Sequence, residues 1–541
     1  MFVWLMKMWS LFLKSNIFKI VLNNRNNEQY IEKSLLSLKN QLYTNFECCV
    51  IDDFSDDNSV NIIKDTVGDD KRFKLFFNSY RKYSLENRII GTNLICNDDE
   101  DIIVVLDGDD WFANNRVLEY LNYVYQDDDI WMTYGQHRFA TGDHGVSRYF
   151  DSAFIRTNHD LWNISHLRSY KYWLFKLLDI KDCKQSNDEY FKFAEDVVVL
   201  YPLAEMAGKH LYFLPKITYI YNNLSQYNDY KVNPVEQINV YYELLKKKNY
   251  PLIEYKGERK KISLKLYDEE FKHCKYSGTD INGSEYIDWY RGNESRDYIF
   301  YTNRCFSKVD LNESGIKIAW LIEPESILPE SYDYIRHNYN KFNYVLTHNK
   351  NILDTIPNSF YIPAAQTWIH RTDWKIYDKV DLTCFIYSKT PGVVGHGIRE
   401  TIFNEQLLPI SKTFGRSIEP FNCKIDILRN FRYCIIAQNS TQDYYFTEHL
   451  IDCFLTGTIP IFYGDCSVLG LTKFECKGIY FFKDLDELRY ILNTINIDDY
   501  NNKYEYIKHN FIAAHQYYLQ EDYIYNYFLR NILIGRYPGW L

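Results

Sequence analysis

The stretch IIVVLDGDDW (102–111) decides the reading of the first half of the chain. Five apolar residues in a row, mostly β-branched, predict a buried strand, and the carboxylates that follow stand where that strand ends. The same design occurs upstream, where ECCVI (47–51) runs into Asp52, Asp53, Phe54, Ser55, Asp56 and Asp57. Working outward, FKIVL (18–22), FKLFF (73–77) and IWMTY (130–134) predict further strands. EQYIEKSLLSLKNQ (28–41) carries helical apolar spacing at Ile31, Leu35 and Leu38, and another helix runs through Ile62 and Ile63. Strand–helix alternation of this kind predicts an α/β domain, a Rossmann-like parallel sheet with helices on both faces. Ligands of such sheets bind beyond the C-terminal ends of the strands, and both acidic clusters fall there.

Carboxylates crowded on one sheet edge repel one another unless something positive lies between them. A hard divalent cation with oxygen ligands, Mn²⁺ or Mg²⁺, is the natural partner. An Asp-x-Asp turn aims Asp107 and Asp109 to the same side, and Gly108 lets the backbone turn tightly.

The segment NNRNNEQYIEKSLLSLKNQLYTNFECCVIDDFSDDNS (23–59), together with VLDGDDW (105–111), resembles family 2 glycosyltransferases of the GT-A fold. The resemblance implies sugar transfer from a UDP- or GDP-sugar, with a metal stabilising the departing diphosphate. By carry-over, Asp53 faces the nucleobase, Asp107 the ribose or the metal, and Asp109 the metal. Asn23 and Arg25 line the base pocket, with Arg25 standing where the family commonly has an aromatic residue. Asn87 and Arg88 border the donor. The stretch from 160 to 225 continues the domain, with helix expected around HLRSYKYWLFKLL (166–178) and AEDVVVLYPLAEMAG (194–208). Family members often carry the general base in an acidic pair at a helix start beyond the metal motif. Glu195 and Asp196 match it, and Asp196 is the expected base; an ordinary charged first turn is the competing reading. His166 and Arg168 are candidates for diphosphate contact or for a structural role.

Composition sets limits. The chain has 541 residues, too many for one core, so several domains are expected. A net charge of −10 without a basic run argues against a nucleic-acid partner. The 12 cysteines show no zinc-type spacing and are expected to be reduced thiols, in keeping with a cytoplasmic location. MFVWLMKMWSLFLK (1–14) is apolar but too short for a bilayer span, which leaves weak membrane association through residues 1–14 as the expectation. Asn-x-Ser/Thr triplets at Asn163, Asn223, Asn293, Asn312 and Asn439 are expected by chance in so Asn-rich a chain. The domains read as 1–230, a polar connecting region over 231–310 with a helix near 235–247, and 311–541.

The third region alternates again, from IKIAWLI (316–322) through FNYVLTH (342–348), SFYIP (359–363), LTCFIYS (382–388), YCIIA (433–437), IPIFY (459–463) and GIYFF (478–482). In FRYCIIAQNSTQDYYFTEHLIDCFLTGTIPIFYGD (431–465), a strand, a polar loop and a helix starting at Thr447–Glu448 form an anion-binding arrangement. Glu448 there suits ribose hydroxyls, and Tyr444 and Tyr445 can stack. This stretch resembles family 10 fucosyltransferases, which implies a GT-B-like α/β domain. It also implies GDP-fucose binding by Asn439, Tyr445 and Glu448, with Arg416 reaching the diphosphate. Gln438 stands where the family commonly has Glu, and His449 where it has Lys. Protonated His449, Arg429 or Arg432 could replace that charge. Either Glu323 or Glu325 could be the base, and His396 and Arg399 are candidate pocket residues.

Together these readings predict a bifunctional glycosyltransferase that resembles those of giant viruses, which implies action on a glycan or glycoprotein acceptor in the host cytoplasm. The alternatives are one working N-terminal site with a degenerate glycan-binding module behind it, and a non-catalytic surface protein.

Overall fold

The computed structural model describes residues 14–145, 147, 164–225, 229–253, 261–278, 283–387, 394–405, 407–415 and 418–535. The N-terminal apolar segment up to residue 13 and Arg416 lie outside the described residues, as does the side chain of His396. The chain divides into two compact units, residues 1–256 with 533–541, and residues 257–532.

The first unit is built from β1 (Phe18–Asn24), α1 (Ile31–Lys39), β2 (Phe46–Asp52), α2 (Ser59–Val67), β3 (Phe73–Phe77), α3 (Tyr83–Ile95), β4 (Ile102–Asp107), β5 (Trp111–Phe112), α4 (Val117–Val124), β6 (Met132–Phe139), β7 (Arg168–Lys171), α5 (Glu195–Ala207), β8 (Leu211–Tyr221) and α6 (Pro234–Leu245). Its sheet has the order β3-β2-β1-β4-β7-β6-β8-β5. Strands β1 to β4 are parallel. Alternate side chains of these strands feed two cores, as the two-residue period requires. Val21, Ile51, Ile103 and Val105 pack with Leu85 and Ile89 of α3 and Val198 of α5. Ile20, Leu22, Val50 and Val104 pack with Leu35 and Leu38 of α1, Ile63 of α2 and Leu118 of α4.

The sheet is mixed rather than wholly parallel. Residues 168–171, expected as helix, form β7, which runs antiparallel between β4 and β6 with Ile102 opposite Lys171 and Val105 opposite Arg168. All four residues of β7 are buried, and helix follows only as the single turn Tyr172–Phe175. A strand slot flanked on both sides outweighs the local helical spacing.

The second unit holds two all-parallel sheets. The first contains β9 (Ile262–Tyr267), β10 (Ile287–Tyr290), β11 (Tyr298–Thr302), β12 (Ile316–Trp320), β13 (Tyr344–Thr347) and β14 (Ser359–Tyr361), in the order β10-β9-β11-β12-β13-β14. Between its strands lie α7 (Pro329–Asn338) and α8 (Lys350–Thr355). The other sheet contains β15 (Asp381–Ile386), β16 (Lys412–Phe414), β17 (Phe431–Ile436), β18 (Ile459–Tyr463) and β19 (Tyr480–Phe482), in the order β16-β15-β17-β18-β19. It carries α9 (Val394–Asn404), α10 (Ile425–Leu428), α11 (Glu448–Phe454) and α12 (Leu485–Thr494), and further short helices follow to residue 535. The polar stretch 231–310 supplies α6 to the first unit and β9 to β11 to the second.

One expectation about the cysteines is overturned. Cys466 and Cys476, ten residues apart, are disulfide-bonded, while the other ten are free. Pairing across a short loop leaves no mark in sequence spacing that a zinc-type pattern would reveal. Among the described residues no helix is long and apolar enough to cross a membrane.

Candidate active site

Parallel pairing brings the ends of three strands of the first unit together, with Asn24 opposite Asp52 and Asn23 opposite Asp107. Gly108 N donates to Asn23 O at 2.8 Å, and a Cβ on Gly108 would sit 2.7 Å from that oxygen. No larger residue fits without displacing the turn. The buried Asp52 accepts from Asn24 Nδ2 at 2.8 Å and from Ser55 N at 3.0 Å. Asp53, 5% exposed, accepts from Asn78 Nδ2 at 2.9 Å, Lys82 N at 2.7 Å and Tyr83 N at 2.9 Å. Its carboxylate therefore ties β2 to the first turn of α3. Arg25 Nη1 donates to the carbonyls of Asp53, at 2.6 Å, and Phe54. Asn23 Nδ2 donates to Ser84 O at 3.1 Å, and Asn87 accepts from Asn78 Nδ2 at 2.8 Å.

Deeper in, Arg88 is 1% exposed and faces two acids. Its Nη2 contacts Glu195 Oε1 and lies 3.7 Å from Asp107 Oδ1. Burial pushes the Glu195 carboxyl up to about 7, against the opposing pull of Arg88. The neighbouring Asp196 is held by Arg168 Nη2 at 3.0 Å. Both acids open α5, and each meets an arginine from another element. His166 stacks on Tyr219 with ring centroids 4.5 Å apart, and burial together with the Arg168 charge holds it well below the usual imidazole range.

Beside Asp107 lies Asp110, buried and bound by Tyr219 Oη at 2.8 Å and Asn222 N at 2.6 Å. Burial first, then the charges of Asp109 and Asp107, pushes Asp110 well above the usual carboxylate range. Ligand atoms of Asp107, Asp110 and His166 all lie within 4.8 Å of one another. His166 Nδ1 is buried with no hydrogen-bond partner. Two carboxylates and an imidazole with an unmatched nitrogen form a donor set that suits a divalent transition metal such as Mn²⁺. Asp109 is half-buried on the same turn. Sequence reading missed Asp110 as a possible ligand because Asp-x-Asp spacing favours Asp109. It also offered His166 for diphosphate contact or a structural role and not as a metal ligand, since no local pattern announces that β7 returns beside β4.

In the second unit, Gln438 Oε1 accepts from Thr447 N at 2.6 Å and Thr447 Oγ1 at 2.9 Å, so the amide oxygen holds the entrance to α11. Arg399 donates to Ala437 O at 2.5 Å and lies 3.4 Å from Asn439 Oδ1. Lys424, buried just before α10, is the cation that sequence reading did not find. Its Nζ lies 3.1 Å from Glu448 Oε1, 3.0 Å from Asp452 Oδ2 and 3.2 Å from His449 Nδ1. Burial pulls His449 down to about 3, so it is neutral at pH 7 and carries no charge there. Arg432 donates to the carbonyls of Lys379 and Asp381, and Arg429 lies 3.9 Å from Asp426. Burial would raise Glu448, and the Lys424 ammonium hydrogen-bonded to it opposes that rise.

The two acids after β12 are also distinguished. Glu325 accepts from Arg336 Nη2 at 2.6 Å and Asn349 Nδ2 at 3.1 Å. Glu323 is half-buried, and burial and the Glu270 charge raise its pKa, with Glu448 adding to the effect. The charges of Glu323 and Glu448 both bear on the buried Tyr445, which packs 5.0 Å from His348.

Residues 20–180 match the model described as Glycosyl transferase family 2. An uncharacterized glycosyltransferase of Haemophilus influenzae is 36% identical over 124 residues, which cover 23% of this chain and 48% of that protein. The chain thus spans about half the length of that curated relative. Among solved structures, Staphylococcus aureus TarS 1–349 in complex with UDP-GlcNAc is 18% identical with a TM-score of 0.34, over 42% of this chain and 64% of the other. Mannosyltransferase PcManGT from Pyrobaculum calidifontis in complex with GDP-Man and Mn²⁺ is 13% identical with a TM-score of 0.32, over 46% and 72%. The part of the chain that holds the carboxylate edge, within residues 20–180, is therefore the part that matches glycosyl transferase family 2.

Proposed function

We propose that the first unit transfers a sugar from a nucleotide-sugar donor to a hydroxyl of a glycan or glycoprotein acceptor, with inversion. The observation that carries this reading is the convergence of Asp107, Asp110 and His166 on one point at the strand ends. Asp107 with Asp109 on the same turn would hold a divalent cation, and Asp110 and His166 complete the set. When bound, that ion offsets the charge of the diphosphate leaving group. Asn23, Arg25 and Asp53 shape the base side of the pocket, and Arg88 keeps the Asp107 side chain in place from below. Asp196 accepts the acceptor hydroxyl's proton, with Arg168 fixing its carboxylate and Glu195 anchored to Arg88 beside it. Asp196→Asn in the full chain should abolish transfer while donor binding by calorimetry stays within about 2-fold of wild type. Unchanged turnover would end the assignment.

Lys424 favours a second reading for the other unit, a second donor site of fucosyltransferase type, which makes the enzyme bifunctional. A buried ammonium touching Glu448 and His449 restores the fixed charge that His449 withholds. Arg399 lines one pocket with Lys424 and His449, Asn439, Tyr445 and Glu448 are assigned to the donor, and Glu323 serves as the base. Hydrolysis of GDP-fucose by full-length Asp107→Asn tests this separately from the first site. A binding module without chemistry would show none.

A further inference from the structure

The helix α6 is apolar on two sides. Its inner side carries Val240, Tyr241 and Leu244, buried in the same core as Val198 and Leu200 of α5. Tyr241 meets Tyr201 edge to face, with ring centroids 6.4 Å apart. The residues that follow fasten the helix down. Lys247 Nζ donates to Asp182 O at 2.8 Å, and Tyr250 donates from its N to Glu205 Oε2 at 3.0 Å and from its hydroxyl to Asp182 Oδ2 at 2.6 Å. The outer side is therefore held in one orientation. Val235, Ile238 and Tyr242 follow one another there at spacings of three and four, and each is more than half exposed. Val232, in the single turn Asp229–Val232 just before, extends the row. Single exposed apolar residues are ordinary on a protein surface, whereas a row at helical period marks a face that meets something apolar.

We propose that the outer face of α6 lies in the headgroup layer of an anionic lipid bilayer and holds the first unit at a membrane surface. Area and charge choose this occupant. The row of four side chains offers about 400 Å² of apolar surface, half of the roughly 800 Å² that each partner of a stable dimer buries. A bilayer sets no such minimum, because the insertion of a few side chains adds to the attraction between lysines and anionic headgroups. The charges stand where that attraction needs them. Lys246, Lys247 and Lys248 close the helix and Lys231 precedes it, in a chain whose net charge is −10. Lys231, Lys246 and Lys248 are exposed. Lys246 follows Tyr242 by one turn and so stands beside the row, while Glu236 and Glu243 fall about 100° round the helix from it, on a flank that stays in water. Tyr242 suits the boundary, with a ring for the acyl side and a hydroxyl for the headgroups. The inference stands apart from the reaction proposed for the first unit and uses none of its residues.

The test floats the full chain with vesicles of phosphatidylcholine alone and with vesicles containing ~30% phosphatidylglycerol. The expected result is association at least ~10-fold stronger with the anionic vesicles. Ile238→Ser/Tyr242→Ser should lose it at least ~10-fold, and Lys246→Glu/Lys248→Glu should bring it down to the level seen with phosphatidylcholine. Both variants change exposed side chains, so their urea midpoints should match wild type, and residues 1–14 are the same in all three proteins. Equal flotation of wild type and Ile238→Ser/Tyr242→Ser, whether strong or absent, overturns the proposal. So does a change from dimer to monomer on that substitution in ultracentrifugation without lipid, which would make the face a seam between two copies of the chain.

Discussion

Arg88 Nη2 lies 3.7 Å from Asp107 Oδ1, so a guanidinium rooted in α3 meets the carboxylate that ends β4. The same nitrogen contacts Glu195 at the start of α5. One buried cation thereby joins the donor edge of the sheet to the helix that carries the proposed base. Removing it leaves two partly buried acids facing each other, and breaking a buried pair from one side costs about 3–5 kcal/mol. Arg88→Met should lower unfolding stability by that order in urea melts, and Arg88→Met/Glu195→Gln should recover part of the loss. Additive losses in the double variant would show that Arg88 and Glu195 act independently.

The metal reading makes its own demand. Asp107→Asn, Asp110→Asn and His166→Asn should each weaken Mn²⁺ binding at least ~10-fold in calorimetry, with Asp109→Asn behaving likewise if its carboxylate swings in. Gly108→Ala should do so indirectly, because its new Cβ would press on Asn23 O and shift the whole turn. Mn²⁺ binding that survives both Asp107→Asn and His166→Asn would remove this site from consideration.

Strand ends were legible in the sequence because the apolar runs stopping at Asp52 and Asp107 leave little freedom in a parallel sheet. Gly108 was legible for the same reason. What stayed hidden came from residues whose partners are far along the chain. His166 reaches the cluster through β7, whose RSYK looks helical until the slot between β4 and β6 is known. Lys424 precedes α10 in FNCKIDIL, and nothing near it announces that its Nζ meets Glu448 and Asp452 about 25 residues on. The choice between Glu323 and Glu325 was closed to sequence as well. It depends on Arg336 and Asn349 engaging one of two acids that lie two residues apart.

That choice can be checked directly. Loss of a general base lowers turnover by about 10²- to 10⁴-fold. Glu323→Gln should therefore reduce sugar transfer at the second site by that order while GDP-fucose still binds. Glu325→Gln weakens only contacts with Arg336 and Asn349 and should leave turnover within about 3-fold of wild type. Equal effects of the two substitutions would argue that neither side chain takes the proton.

His348 offers a pH-dependence with a clean sign. It is 0% exposed, packs 5.0 Å from Tyr445, and burial alone pulls its pKa down to about 3 from an ordinary 6.5. Between those two values the unfolded chain binds a proton that the folded chain refuses. Stability therefore falls as pH drops below about 6.5 and keeps falling until about 3, and it does not change through this group at higher pH. Each unit of difference is worth about 1.4 kcal/mol, so His348 should account for roughly 3 kcal/mol of lost stability by pH 4. His348→Leu keeps an apolar side chain in the site and removes the titration. Urea melts of the variant at pH 7 and pH 4 should differ by about 3 kcal/mol less than those of the wild type. If both proteins lose the same stability over that interval, the imidazole is already charged in the folded chain and the packing around Tyr445 and Tyr332, whose Oη lies 3.4 Å from His348 Nε2, admits water.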